Sequence, residues 1–425
     1  MKKTLLALLA MAFVSTAFAQ ENETDPVRDY VDSVRFTREQ VDLIQNLKFS
    51  GYYQFQYQKA DTAGIGSYEG GNFSSDVNNR FTIRRGRLKM TYSDKISTYV
   101  LQFDGTERGV AIRDAYIKMI EPKYRHLELT AGVFDRPFGY EISYSSRLRE
   151  SPERGRMSQI LFPNERDLGA MISYNKSWKA KKQSLKIDAG LFNGTGFLTT
   201  EFDSKKDFIS RISYENNKGK IVKFGLGASM YQGKLINQTK YVYSMNDAKF
   251  AVDSNSSNFK DYSRRQYYGV NAQLNFFTSL GFTIIRAEYI FGSQPGTHSS
   301  SSSPTTAPTV TNTYIRNLDG AYLYLVQNIL KSKHQIVVKY DWYDPNTNVS
   351  GLEVGATGTS TNATDVKYST IGFGYIYRAT SHIRWMAYYD IVRNEKTSIV
   401  GTSSVSNFTK DLKDNVATIR MQYRF

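Results

Sequence analysis

A strict alternation of apolar and polar side chains restricts the fold of this chain more than any other feature. The last twelve residues, 414–425, read DNVATIRMQYRF. One parity of this segment is apolar and contains Ala417, Ile419, Met421, Tyr423 and Phe425. A period of two indicates a β-strand with one apolar and one polar face. Because a terminal segment is ordered only when something holds it, we expect this strand to be paired inside a sheet.

The same alternation recurs from residue 47 to the end of the chain. We count sixteen such segments, which begin near residues 47, 80, 96, 110, 126, 168, 185, 207, 221, 263, 281, 314, 334, 367, 382 and 414. Short connections such as 121–125 alternate with long ones such as 136–167. Outer-membrane barrels have short turns at the periplasmic rim and long loops outside the cell. The predicted fold is therefore all-β, a 16-stranded antiparallel transmembrane β-barrel whose last strand closes against the first.

The first 46 residues have a different pattern. Lys2 and Lys3, an apolar run over residues 5–14 and the sequence Ala17-Phe18-Ala19 are typical of a secretory signal peptide, predicted over residues 1–19. Residues 20–46 space their apolar side chains as a helix does, so they predict a short periplasmic N-terminal extension. Export through the general secretory pathway and the barrel pattern together predict the outer membrane of a Gram-negative-type bacterium.

The composition of the chain is compatible with a membrane barrel, although its mean hydropathy is low. Mean hydropathy is −0.47, and after the N-terminal segment no apolar run is long enough for a membrane-spanning helix. Barrel strands alternate between lipid and lumen, so averaging over a window hides them. The 31 tyrosines and 25 phenylalanines could supply two aromatic girdles, and the absence of cysteine argues against a disulfide scaffold. A secreted β-sandwich would explain the alternation but not sixteen repeats with two classes of connection.

Arginine is concentrated in one part of the chain. Residues 80–166 hold 13 of the 26 arginines but only four of the 29 lysines, so this region is a candidate functional site. In residues 81–92, FTIRRGRLKMTY, the apolar parity faces lipid and directs Arg85 and Arg87 into the lumen. Arg84 has the opposite parity unless a bulge occurs at Gly86. Guanidinium groups match the oxygens of anions, and cationic rings select anions in pores.

The connection over residues 136–167 is 32 residues long. A loop of this length in a compact domain is usually either functional or disordered. Three prolines and several aromatic residues favour an ordered loop, which we expect to fold into the lumen and narrow it. The loop contains six arginines and five acidic residues. Internal ion pairs are therefore an alternative role for any one of these arginines.

Several short segments resemble the phosphate-selective porins O and P. They are RRGRL (84–88), RDAYI (113–117), FDRPFGYE (134–141), YSS (144–146), the pair Glu153-Arg154 and FPNERDLG (162–169). The resemblance covers residues 80 to about 174 and, beyond them, only the barrel rhythm and the terminal phenylalanine. It implies a 16-stranded, usually trimeric diffusion channel with an inward loop whose serine pair and basic neighbours line an anion path.

The resemblance implies site residues at the positions of this chain that match the motifs of the family. The matching positions are Arg84, Arg85, Asp114, Ser145, Ser146 and Arg154. With the lumen-facing Arg87 and the loop arginines, the candidate anion path is Arg84, Arg85, Arg87, Asp114, Ser145, Ser146, Arg147, Arg149, Arg154 and Arg156. Glu141 and Ile142 stand where the family has a lysine before its serine pair, so a porin of another selectivity is equally compatible.

No motif of an enzyme accompanies these residues. Four histidines are scattered, and no nucleophile elbow, zinc motif or phosphate loop is present, so we predict neither an enzyme nor a cofactor or metal. Residues 344–353 resemble a calcium loop but have Val349 where a turn glycine is needed. The predicted partners are small anionic or polar solutes, outer-membrane lipid and two further copies in a homotrimer, with no nucleic acid. The alternative is a non-conducting surface barrel that acts through external loops such as the serine-rich segment 299–308.

Overall fold

The structure is a computed structural model that describes residues 31, 34–35, 37, 40–41, 43–197, 199–219, 221–397 and 405–425. The predicted signal peptide and residues 20–30 of the predicted extension lie outside these residues. The described residues between 31 and 46 are helical, as the spacing of their apolar side chains predicts. They belong to a compact unit, Met1–Leu47, that is separate from the unit Lys48–Phe425.

The regular secondary structure of the second unit is almost entirely β-strand, because its segments alternate with the period of an extended chain. The described strands are β1 (Leu47–Ala60), β2 (Asn79–Ser93), β3 (Ser97–Thr106), β4 (Gly109–Ile120), β5 (Leu127–Asp135), β6 (Arg166–Trp178), β7 (Gln183–Phe192), β8 (Asp207–Asn216), β9 (Val222–Ile236), β10 (Val242–Asn246), β11 (Lys249–Asp253), β12 (Tyr262–Thr278), β13 (Gly281–Gly296), β14 (Thr313–Asn328), β15 (His334–Asp344), β16 (Tyr368–Tyr377), β17 (Ile383–Asn394) and β18 (Val416–Arg424).

Sixteen of these strands form a closed antiparallel barrel, as predicted. All except β10 and β11 pair with the strand before and the strand after, β9 pairing directly with β12. Each barrel strand begins within two residues of its predicted start. The alternating pattern therefore located every wall strand, because each strand must present one face to lipid and one to the lumen.

The last strand closes the ring. β18 pairs with β1 from Tyr52 opposite Arg424 to Ala60 opposite Val416. Gly51 and Phe425 continue the ladder with N–O distances of 3.2 and 3.1 Å. Closure leaves no strand edge, and an unpaired edge in hydrocarbon would cost several kcal/mol for each backbone group. The predicted parity of the strand is confirmed, since Ile419 is 55% exposed on the outer face whereas Arg420 is 2% exposed.

Short turns and long loops alternate around most of the barrel, as predicted, but β3 and β4 are joined by a two-residue turn (107–108) at the rim of the long loops. The long connections are residues 61–78, 136–165, 193–206, 237–261, 297–312, 345–367 and 395–415. The α-helix α1 (Arg156–Leu161) lies in the second of them, and single 3-10 turns occupy Lys179–Lys181, Ser256–Asn258, Gly351–Glu353, Ala363–Asp365 and Ser406–Thr409. Among the described residues, no helix combines the length and apolar character needed to cross a membrane.

The connection 237–261 differs from its prediction as a plain loop. It contains the hairpin β10–β11, and β10 also pairs in parallel with the start of β14. The rings of Tyr243 and Tyr314 stack 4.4 Å apart across this pairing. Each hairpin strand has only five residues, which is too few for the alternation to stand out in the sequence.

Candidate functional site

Residues 136–165, the second long connection, contact the inner wall of the barrel and are here called the constriction loop. One end of this loop is anchored by aromatic rings. Phe138 and Phe162 are fully buried with a centroid separation of 4.8 Å, and Phe162 lies 5.8 Å from Tyr267 of β12. Aromatic rings of this size contribute most of their stabilisation through burial. The loop is thus attached to the wall formed by β9 and β12.

Gly139 fixes the chain direction at this anchor. Its φ is +60°, and a Cβ there would lie 1.8 Å from Oε1 of Glu288. The backbone N–H groups of Tyr140 and Glu141 each donate to Oε2 of Glu288 at 3.0 Å. Only glycine combines this left-handed backbone with so close an approach of a side chain.

The other side of the constriction loop contacts strands β1, β17 and β18. Ser146 bonds Tyr52 with an Oγ–OH distance of 2.6 Å, and Arg384 donates to the carbonyl of Arg149 at 3.0 Å. Arg420 donates to the carbonyl of Pro152 at 2.8 Å. In a ring of sixteen, the first and ninth strands stand on opposite sides, so these two sets of contacts span the lumen.

Glu153 of the constriction loop binds three arginines. Its two oxygens accept hydrogen bonds from Arg84 at 2.7 and 2.8 Å, from Arg85 at 2.8 Å and from Arg420 at 3.0 Å. Burial opposes the ionisation of Glu153, but the three guanidinium groups outweigh burial and hold its pKa well below the usual value. Glu153 is therefore a carboxylate that holds arginines from β2 and β18 together.

Glu165, at the end of the constriction loop, also binds three arginines. It pairs with Arg113, Arg154 and Arg166, the last at 2.8 Å between Nη1 and Oε2. Burial again opposes ionisation and the arginines again overcome it, so the pKa of Glu165 lies well below its usual value. Two glutamates thus organise six arginines.

Two strand irregularities bring additional arginines to this site. Phe81 faces outward on β2 and so does Leu88, which means that the inward parity changes between them. Arg84 and Arg85, although adjacent, both reach Glu153. The predicted conflict over the parity of Arg84 is resolved in this way, since a bulge sends neighbouring side chains to one side.

The second irregularity lies between β3 and β4. Gln102 pairs with Asp114 and Phe103 pairs with Ile112, so Arg113 is an extra residue in β4. Arg113 reaches Glu165, and Asp114 binds Arg166 with an Oδ1–Nε distance of 2.9 Å. Both bulges add one inward arginine at the level of the constriction loop.

These groups surround a cavity of about 280 Å³ between the constriction loop and the wall of β2, β3 and β4. Its charged lining contains five arginines and three acids, so its formal charge is 5 − 3 = +2. They are Arg84, Arg85, Arg87, Arg113, Arg154, Asp104, Glu153 and Glu165. Arg87 pairs with Asp104 at 3.1 Å, and each of the other four arginines contacts one of the two glutamates. The cavity therefore keeps an excess of positive charge after its ion pairs are counted.

The structure brings some of the candidate residues together and separates others. Arg84, Arg85, Arg87 and Arg154 line the cavity, whereas Asp114 lies behind it as the partner of Arg166. The remaining candidates lie outside its lining and are Ser145, Ser146, Arg147, Arg149 and Arg156.

The candidates outside the cavity have distinct surroundings. Ser145 is exposed, and its Oγ accepts from the backbone N–H of Arg147 at 3.3 Å. Arg149 is 1% exposed, and its guanidinium makes no hydrogen bond to any described residue. Arg156 lies 3.7 Å from the ring centroid of Tyr368 and 4.7 Å from that of Tyr68. Among the described residues, neither Arg149 nor Arg156 forms an ion pair, so the alternative of internal ion pairs does not explain these two positions.

Sequence reasoning missed Arg113 and the three acids of the cavity. Arg113 belongs to the quoted segment RDAYI, but the resemblance selected its neighbour Asp114, and only the bulge in β4 brings Arg113 to the cavity. The high arginine content of residues 80–166 was the one sequence feature that could have indicated Arg113. Glu153 and Glu165 were counted only as loop charges, because their partners lie on strands distant in the sequence.

Comparison with known proteins supports the fold. Neither a family model nor a curated protein sequence matches the chain. Among solved structures, Pseudomonas putida OprB aligns with a TM-score of 0.58 and 11% identity over 92% of this chain and 97% of that one. The anion-selective porin of Comamonas acidovorans aligns with a TM-score of 0.53 and 10% identity over 89% and 99%. The outer membrane channel DcaP of Acinetobacter baumannii gives 0.50 and 14% over 89% and 97%.

This chain has the fold of a porin. At identities of 10 to 14%, the comparisons establish the barrel architecture and leave the roles of single residues to the geometry of the site.

Proposed function

We propose that this protein is an outer-membrane porin through which small polar solutes diffuse passively, with a preference for anions. The observation that carries the proposal is the cavity beside the constriction loop, where five guanidinium groups face three carboxylates. An anion entering this cavity meets a net positive field at short range. Rings of fixed cationic side chains select anions in this way.

The lumen face of β2 extends this positive field along the barrel axis. Arg80, Arg84, Arg85, Arg87 and Lys89 have the inward parity on either side of the bulge. The nine steps from Arg80 to Lys89, at about 3.3 Å each, span about 30 Å along the strand and about 23 Å along the axis of a barrel whose strands tilt by about 40°, which is close to the height of the apolar band, about 25 Å. A basic track of this length supports passage from one rim to the other.

The ion pairs of the cavity favour passage over tight binding. Each arginine in its lining already shares a carboxylate, so a solute competes for only part of its hydrogen bonds. Conduction requires attraction strong enough for entry and weak enough for release. Fully unpaired guanidinium groups would hold an oxyanion longer, because charge-assisted bidentate bonds are the stronger ones.

Four finer assignments belong to the same proposal. Phosphate or related oxyanions are the solutes suggested by the sequence resemblance and by the arginine lining. The homotrimer, the signal peptide with secretory export and the outer-membrane location agree with a barrel of this fold. The helical residues before β1 would then lie in the periplasm, since an even number of strands places both chain ends at one rim.

The proposal is tested by reversing the charge of two lining residues. Replacing Arg85 and Arg87 with glutamate changes the cavity charge by four units, from +2 to −2. We expect the reversal potential in a KCl gradient across a planar bilayer to move toward cation selectivity. Arg108→Glu is the matched control, because the Arg108 side chain is 74% exposed in the tip between β3 and β4 and lies outside the cavity lining.

The same bilayer recordings separate the rival functions. An unchanged reversal potential in the double variant would remove these arginines from the ion path. A wild-type barrel without any ion current would favour the non-conducting surface barrel. Phosphate added to the KCl solution should reduce the chloride current if oxyanions share the path.

A further inference from the structure

The first long connection, residues 61–78, enters the barrel mouth and is here called the first loop. Its Glu69 is only 2% exposed, although most of the loop is exposed or half-buried. Gln58 of β1 donates to the carbonyl of Glu69 at 2.5 Å, and Arg80 of β2 donates to the carbonyls of Gly70 and Gly71 at 3.1 and 2.7 Å. The tip of the loop is therefore attached to the inner wall.

The same tip contacts the constriction loop. Gln159 donates from Nε2 to the carbonyl of Tyr68 at 2.9 Å, and the guanidinium of Arg156 lies 4.7 Å from the Tyr68 ring centroid. Tyr68 also lines the arginine cavity. The first loop thus narrows the space through which we propose that anions pass.

Glu69 lies in a buried cluster of charged side chains from β15, β17 and the constriction loop. The titratable and charged groups that act on it from β15, β17 and the constriction loop are Lys339, Asp341, Asp390, Tyr388, Arg156 and Glu153. Lys339 pairs with Asp341 at 2.8 Å, and both residues are 1% exposed. Among these groups, Glu69, Asp341 and Asp390 form an acidic set that has one lysine at its centre.

The charges of this acidic set do not balance. Both carboxylate oxygens of Asp390 and Oε1 of Glu69 are sealed from solvent and make no hydrogen bond to a described residue. Ionised carboxylates that are buried without such partners are costly. Protonation lowers this cost, because it removes the negative charge of a carboxylate that has no hydrogen-bond donor. Burial raises the pKa of Glu69 to about 7, although Lys339 opposes this shift.

We propose that the first loop is a gate held closed by protonated Glu69 and released when Glu69 ionises. Release removes Tyr68 from the arginine cavity and widens the path. This inference rests on the proposed channel function, but it concerns a loop and a charged cluster that the anion preference does not require.

The direction in which pH changes the docking of the first loop follows from the proton that Glu69 binds more tightly in the docked state. The pKa of Glu69 is raised in the docked state above its ordinary value of 4.5, so docking is strongest below pH 4.5. Docking weakens by up to tenfold per pH unit between 4.5 and about 7 and then stays constant. The total loss is about 300-fold in the docking equilibrium. Conductance should therefore rise as the pH increases through this range.

The experiment records single-channel conductance and reversal potential from pH 4 to 9 for the wild type and two variants. Glu69→Gln keeps a neutral side chain of nearly the same shape, so it should hold the low conductance at every pH. Asp76→Asn is the control, because Asp76 is an exposed carboxylate of the same loop and should leave the step intact.

Each outcome bears on the gate. A wild-type conductance that does not change with pH would overturn it, as would a step that persists in Glu69→Gln. A Glu69→Gln barrel fixed at the high conductance would also overturn it, because the neutral side chain should dock. The reversal potential read in the same recordings reports on anion preference, so failure of the gate and failure of the channel proposal remain distinguishable.

Discussion

Replacement of Glu153 by glutamine is the most informative single change at the constriction. The substitution keeps the size of the side chain and removes the carboxylate that binds Arg84, Arg85 and Arg420. The formal charge of the cavity lining rises from +2 to +3. If the arginines form the ion path, anion preference should increase although the change removes a buried ion-pair partner.

The size of the effect follows from Coulomb's law. A unit charge about 8 Å from a passing ion changes the energy of that ion by about 0.5 kcal/mol in water and about 2 kcal/mol at an effective dielectric constant of 20. The change has opposite sign for anion and cation. Even the smaller value therefore alters the anion-to-cation permeability ratio by about fivefold.

The assay is the reversal potential of the purified barrel in a KCl gradient. Salt should be low on one side, about 0.01 M, because the screening length there is about 30 Å rather than about 8 Å at physiological salt. Asp247→Asn is the matched control, since Asp247 is exposed in the turn of the β10–β11 hairpin and is not part of the cavity lining.

The reasoning is refuted if Glu153→Gln is less anion-selective than the wild type, or equally selective, while the barrel remains folded. Folding is checked by the heat-dependent shift of the barrel on electrophoresis. Loss of the ion pairs could also loosen the constriction loop, which would appear as a larger conductance without abolishing the gain in selectivity.

Two further predictions concern the loop anchor and the barrel wall. Gly139→Ala places a Cβ 1.8 Å from Oε1 of Glu288 at a φ of +60°, so the loop anchor should shift and single-channel conductance should become larger and noisier. Gly155→Ala in the same loop has its nearest contacts at 3.6 Å and should behave as the wild type. Ile419→Lys on the lipid face should cost about 2–4 kcal/mol of folding free energy in denaturant titrations with vesicles, against about 0–1 for Tyr423→Lys near the rim. Equal costs for the two lysines would contradict the placement of β18 across the bilayer.

Much of the wall could be predicted because its signal is local. A strand that separates lipid from water must alternate at every second residue, so each segment carries its own assignment. The same logic predicted that DNVATIRMQYRF pairs with the first strand, and Tyr52 indeed faces Arg424. The hairpin β10–β11 was not predicted, because it lies in an external loop, where no bilayer imposes the alternation.

The candidate site was predicted only in part. Arg85 and Arg87 face the lumen as the parity of β2 requires, and Arg84 joins them through a bulge that the sequence left undecided. Arg149 and Arg156 were selected by composition alone, and the loop buries both away from the cavity. Glu153 and Glu165 gained their importance only from arginines on distant strands.

The sequence alone determined the architecture, sixteen alternating strands that close end to end, because the requirement for a polar and an apolar face acts on each strand separately. The tertiary structure alone decided which charges meet. Contacts between residues far apart in the chain determine the two bulges, the path of the constriction loop and the docking of Glu69. Local periodicity carries no information about such contacts.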